Sequence, residues 1–180
     1  MNPVSRRRFL VLSAGAAALA TGAVAGLAFL RGTAPDVAGL HVLSAQQYRT
    51  MAAVANAHIP QGGAFAQGAA DFDLARLFDG YLADQPDADQ RDARLALDLL
   101  EFGPLLFDHQ TVTFSHLAPD AQLTHWSAWG VAEQQTRREV FWSFSRFLGL
   151  TFYDHETVWP HVGYAGPSFA RLAERPQEAP

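Results

Sequence analysis

Seven histidines and eighteen carboxylates are the residues of this 180-residue chain that could carry acid–base or metal chemistry. Metal ligands on a helix need spacings of three or four residues to share a face. His155 and His161 lie six apart, with Asp154 and Glu156 flanking His155 and Pro160 intervening. His109, His116 and His125 are spaced as loosely, His58 stands alone before Ile59-Pro60, and no His-Glu-x-x-His occurs. Capping and hydrogen-bonding histidines are therefore expected rather than ligands. Asp84, Asp87, Asp89 and Asp92 look at first like a calcium loop. Opened at Asp87, such a loop needs Gly sixth and Glu twelfth, and Asp92 and Asp98 stand there. Acids favouring the positive end of a helix account for the run.

Other chemistries fail on composition. The chain has no Cys and no Lys, which removes thiolate nucleophiles, disulfides, iron–sulfur clusters, covalent haem attachment, Schiff-base chemistry and the phosphate-loop lysine. There is no Gly-x-Gly-x-x-Gly and no Gly-x-Ser-x-Gly. No catalytic residue, cofactor-binding residue or metal ligand is singled out, although carboxylate pairs that meet only in space are invisible at this level.

Charge divides the chain in two. Residues 1–35 hold Arg6, Arg7, Arg8 and Arg31 and no acid, which leaves nine arginines against eighteen acids, a net −9, in the remainder. A body of that sign repels phosphate, so nucleic acid is not an expected partner. The head reads Ser5-Arg6-Arg7-Arg8-Phe9-Leu10, then runs uncharged through Leu30 on Ala, Gly, Leu and Val. Basic residues followed by an apolar stretch mark an export signal. The order Ser5, Arg6, Arg7, Phe9, Leu10 resembles the twin-arginine signal of bacteria, which implies the twin-arginine translocase as a partner and the periplasm as destination. Ala23-Val24-Ala25 is a small-x-small cleavage site. Residues 9–30, at about 1.5 Å per residue, also reach about 33 Å, enough for a retained inner-membrane anchor.

The elements that must position the rest read as helices. The stretch 31–39 looks like a tether. Ser44 with Gln47 forms a capping box ahead of Tyr48, Met51, Ala52, Ala55 and Ile59, and Pro60 with Gly62-Gly63 ends that helix. A second helix is expected over about 71–82. A third is capped by Asp87 and Gln90 and ends at Gly103-Pro104. Pro119-Asp120 opens a fourth through Trp126 and Trp129. The longest is expected over about 131–148, with a Glu133–Arg137 pair, and a short terminal helix over about 155–162. Only Thr111-Val112-Thr113-Phe114 alternates like a strand. The expectation is an all-α body at 36–170, a single irregular bundle of five to six helices, followed by a polar tail at 171–180.

Aromatic surplus is the body's outstanding feature: 11 Phe, 4 Trp and 4 Tyr from residue 36 onward, concentrated between Phe102 and Tyr164. Part must form the core, but Trp and Tyr are favoured where proteins dock. Trp142, Phe147, Phe152, Trp159 and Tyr164 are the candidate partner anchors.

Over about residues 42–167 the chain resembles the gluconate 2-dehydrogenase subunit 3 family, small subunits of bacterial membrane-associated flavin dehydrogenases. The resemblance rests on Leu43-Ser44 before a Tyr48-containing helix, Ala55-x-Ala57-x-Ile59-Pro60, the Phe72–Leu82 helix, Leu117-x-Pro119, and Val158-Trp159 with Gly163-Tyr164-x-Gly166-Pro167. The Gln61–Ala70 loop is shorter than is usual in that family. What the resemblance implies is a noncatalytic subunit that binds an FAD-dependent large subunit of the glucose-methanol-choline type, aids its maturation and carries it through export. A multihaem cytochrome c would accept the electrons, so FAD and haem c would belong to the partners. The rival readings are a small periplasmic metal-dependent enzyme built on His and carboxylates, and a membrane-anchored scaffold without a redox partner.

Overall fold

The computed structural model describes residues 36–63 and 66–167. The expected signal residues Ser5, Arg6, Arg7, Phe9 and Leu10, the 9–30 stretch and the 171–180 tail lie outside them. Within them the chain is all-α: α1 (Ala45–His58), α2 (Leu74–Ala83), α3 (Asp87–Phe107), α4 (Pro119–Gly130) and α5 (Gln135–Tyr153), with 3-10 turns at Ala69–Phe72, Phe114–His116 and Trp159–Val162.

Helix starts follow local chemistry. Ser44 Oγ accepts from Gln47 N while Gln47 Oε1 accepts from Ser44 N, so the capping box closes as expected. Pro119 and Asp120 open α4. α3 starts differently: Pro86 is the cap, Asp87 and Asp89 fall in the first turn, and the Gln90 amide reaches back to Gln85 O at 3.0 Å. α2 follows a 3-10 turn and is capped by Asp73, whose φ of +45° places it in the left-handed region.

Ends depart further from expectation. α3 runs through Pro104 to Phe107 and, at 21 residues, is the longest helix. Proline costs one backbone bond and a clash in a helix interior. Here Pro104 and Gly103 are buried, and the turn beyond them packs Phe107 against Trp129 at 6.2 Å, so tertiary contact carries the helix onward. α5 begins at Gln135 instead of Val131. Residues 131–134 form the α4–α5 turn, where Arg138 donates to the carbonyls of Ala132 and Glu133. Glu133 thus sits outside the helix, and Arg137 instead lies over the rings of Phe107 and Trp129 at 4.5 and 5.3 Å. The strand-like 111–114 segment is a loop running into a 3-10 turn.

α1 is the centre of the bundle, packed on each of the other four helices. Its many alanines keep the axes close, and Met51 and Val54 are fully buried. Around it the core collects Leu74, Phe78, Leu97, Leu100, Trp126, Trp129, Phe144, Leu148 and Phe152. Among the described residues no helix is long and apolar enough to cross a membrane.

Candidate functional site

Two kinds of group deserve a chemical reading: buried polar side chains and exposed aromatics. Asp79 on α2 is fully buried and accepts the N–H groups of His41 (2.7 Å), Val42 (3.0 Å) and Leu43 (2.7 Å). Burial alone would push its carboxyl up, but the three N–H bonds outweigh that and hold it below the usual aspartate range. Glu101 on α3 is also buried. Its Oε1 accepts from the Gln46 amide and the Ser115 hydroxyl, both at 2.8 Å, and its Oε2 from Thr50 Oγ1 (2.8 Å) and Ser115 N (3.1 Å). With four donors on two oxygens, Glu101 is saturated and ties α1 and the Phe114–His116 turn to α3.

His125 on α4 is nearly inaccessible. Nδ1 pairs with Asp108, the residue just after α3, and Nε2 accepts the Trp129 indole N–H at 2.9 Å. That chain places the neutral ring's proton on Nδ1 and leaves neither ring nitrogen open to a substrate. Burial lowers the His125 pKa; the Asp108 contact opposes that and Arg137 adds to it. The other histidines that sequence raised are spread out. His155 stacks on Phe72 at 4.0 Å, His116 Nδ1 lies 2.9 Å from Thr113 Oγ1, and His109 is an exposed residue with φ +54°. Among the described residues no group of three or more His, Asp and Glu is arranged to hold a metal ion.

A cleft of about 260 Å³ lies between α1 and α2, lined largely by alanines with Tyr48, Asn56 and Asp73 among its walls. The Tyr48 hydroxyl donates to Asp73 Oδ1 at 2.8 Å, and burial and that carboxylate push the phenol pKa up. Tyr48 therefore acts as a hydrogen-bond donor at neutral pH.

The exposed aromatics converge. On α5, Val140, Phe144, Leu148 and Phe152 face the core. The opposite face carries Trp142, Arg146, Gly149, Leu150 and Tyr153, spaced three and four apart on one stripe. Trp142 is 63% exposed, Leu150 66% and Tyr153 51%. From Trp142 to Tyr153 the stripe runs about 16 Å. Beyond its Tyr153 end, Trp159 Nε1 donates to Tyr153 O at 3.0 Å, and Trp159 meets Tyr164, 48% exposed, edge to face at 5.2 Å. Gly166 makes this possible, since its φ is +88° and a Cβ there would lie 3.3 Å from the Trp159 ring.

Of the five candidate anchors, Trp142 lies on this stripe, and Trp159 and Tyr164 sit together beyond its Tyr153 end. Phe147 is half-buried beside it, packed against Phe78 at 4.9 Å and against exposed Tyr81 of α2 at 5.3 Å. Phe152 is a correction: it is 1% exposed and packs on Phe72 at 5.5 Å, because its place on α5 turns it to the core. Leu150 and Tyr153, not among the candidate anchors, share the exposed stripe with Trp142, a placement their helical spacing makes readable from sequence. Comparison with protein-family models, curated proteins and solved structures finds no match to this chain.

Proposed function

We propose that this chain is a noncatalytic accessory subunit of a periplasmic FAD-dependent sugar, sugar-acid or alcohol dehydrogenase complex. It binds a glucose-methanol-choline type flavoprotein, aids its maturation and accompanies it through twin-arginine export. FAD belongs to that large subunit and haem c to a multihaem cytochrome c that takes the electrons. The observation that supports a grip on a partner is the exposed Trp142–Leu150–Tyr153 stripe, with Trp159 and Tyr164 beyond its end, and the flavoprotein as that partner is what the resemblance over residues 42–167 implies. Large aromatics held rigidly on a helix lose little conformational freedom on docking, and they supply most of the affinity of protein interfaces. The stripe would form the centre of a contact of roughly 1,200 Å² or more. The Ser5–Leu10 signal, which serves proteins exported folded, supports a role in carrying a cofactor-loaded companion.

The test is co-expression of the flavoprotein with the wild-type chain, without it, and with a Trp142→Ala plus Tyr153→Ala variant. Periplasmic flavoprotein activity should appear only with the wild type, and the variant should lose co-purification while remaining folded. Equal periplasmic activity in the presence and absence of the chain defeats the proposal.

A further inference from the structure

Both indoles of α4 donate to imidazoles. Trp129 Nε1 lies 2.9 Å from His125 Nε2 on the same helix, and Trp126 Nε1 lies 3.4 Å from His58 Nδ1 at the end of α1. Each bond requires a lone pair on the accepting nitrogen, so each exists only with that imidazole neutral. A proton on either ring sets two N–H donors face to face inside a packed seam. At His125 there is little room to turn away, since a Cβ on Gly103 of α3 would lie 2.6 Å from Nε2.

We infer that α4 is seated through two proton-sensitive contacts, Trp126–His58 across to α1 and Trp129–His125 within α4 where its ring meets Gly103 of α3, and that mild acid loosens the packing of α4 while the rest of the bundle stays closed. The charged groups facing His125 are Asp108 at the end of α3, which pairs with Nδ1, and Arg137 of α5. Its further neighbours are the rings of Phe114 and Trp129. His58 has the rings of Trp126 on α4 and Phe141 on α5 as edge-on neighbours at 6.3 Å, neither of them titratable. Burial lowers the pKa of both imidazoles. A loosened α4 therefore binds protons more readily than the closed one. The closed form is fully favoured above the ordinary imidazole value of about 6.5 and loses ground as pH falls through the lower folded values. The Asp79 bonds to residues 41–43 persist across that window, because that carboxyl lies below the aspartate range.

The consequence reaches the docking face. Phe141 packs on Trp126 at 4.6 Å and on Trp142 at 5.3 Å, so the α4–α5 seam supports the outermost anchor. The inference itself concerns the isolated chain and does not depend on any partner.

Amide hydrogen exchange of the full chain tests it, comparing about pH 7.5 with about pH 5.5 after correction for intrinsic rates, with 87–100 as internal reference. Protection of 119–130 should fall by about tenfold or more, the reference should hold, and His58→Gln plus His125→Gln, which keep an acceptor but do not titrate, should abolish the difference. Asp108→Asn removes the charge that favours imidazolium, and should move the transition to lower pH. Should the double variant fail to fold, that shift decides. Unchanged protection of 119–130 in the wild type, the same loss in the Gln variant, or an unmoved transition in Asp108→Asn overturns the inference.

Discussion

Asp79 and Glu101 hold the body from within, and neither was legible as special in the sequence. Asp79 bonds residues 36 to 38 positions away, and Glu101 reaches Thr50 across 51, so no local pattern announces them. Asp79→Asn replaces one acceptor oxygen with a donor facing backbone N–H groups, and should cost about 2 kcal/mol at pH 7. Its folded pKa lies below the unfolded one, so that contribution is present above about pH 4 and disappears as pH falls through the folded value. Urea melts of wild type and variant should therefore differ at pH 7 and converge toward pH 2. Glu101→Ala strands the Gln46, Thr50 and Ser115 donors and should cost about 3 kcal/mol by the same measurement.

At the scale of elements, sequence revealed the boundaries set within one turn and hid those set by packing from elsewhere in the chain. Ser44–Gln47 and Pro119-Asp120 act within one turn, and both start helices where expected. Pro104 and the 131–134 turn are decided by what packs on them from elsewhere, so α3 overran its expected stop and α5 started late. The anchors divide in the same way. Trp142 could be placed on a face by spacing, whereas Phe152 required knowing that Phe72 lies behind it. Glycines within helices give a sharp element-level contrast. A Cβ at Gly103 would meet His125 Nε2 at 2.6 Å and Trp129 Cζ2 at 3.0 Å, while one at Gly149 meets nothing within 4 Å. Gly149→Ala should raise stability by about 0.5–1 kcal/mol through backbone entropy. Gly103→Ala gains the same term but must displace two held rings, and should lower stability by about 1–2 kcal/mol net. Thermal melts of the two variants should move in opposite directions.

For the whole molecule the proposed role makes two demands that separate cleanly. If the head routes the chain and the body grips a companion, Arg6→Lys plus Arg7→Lys should leave binding intact yet keep both proteins in the cytoplasm, read by blotting periplasmic fractions. Trp142→Ala plus Tyr153→Ala should do the reverse, exporting this chain alone with a melting temperature only slightly lowered, since both residues are more than half exposed and meet the interior only through Phe141 and Phe152. The central position of α1 adds a constraint of timing. It precedes its four neighbours in the chain, and the last of them ends at Tyr153. A nascent chain leaving the ribosome thus presents its hub first and the final wall of that hub about a hundred residues later. The inward side of α1 is walled mostly by α2, α3 and α4 and last by α5, so the bundle is complete only once translation has passed Tyr153.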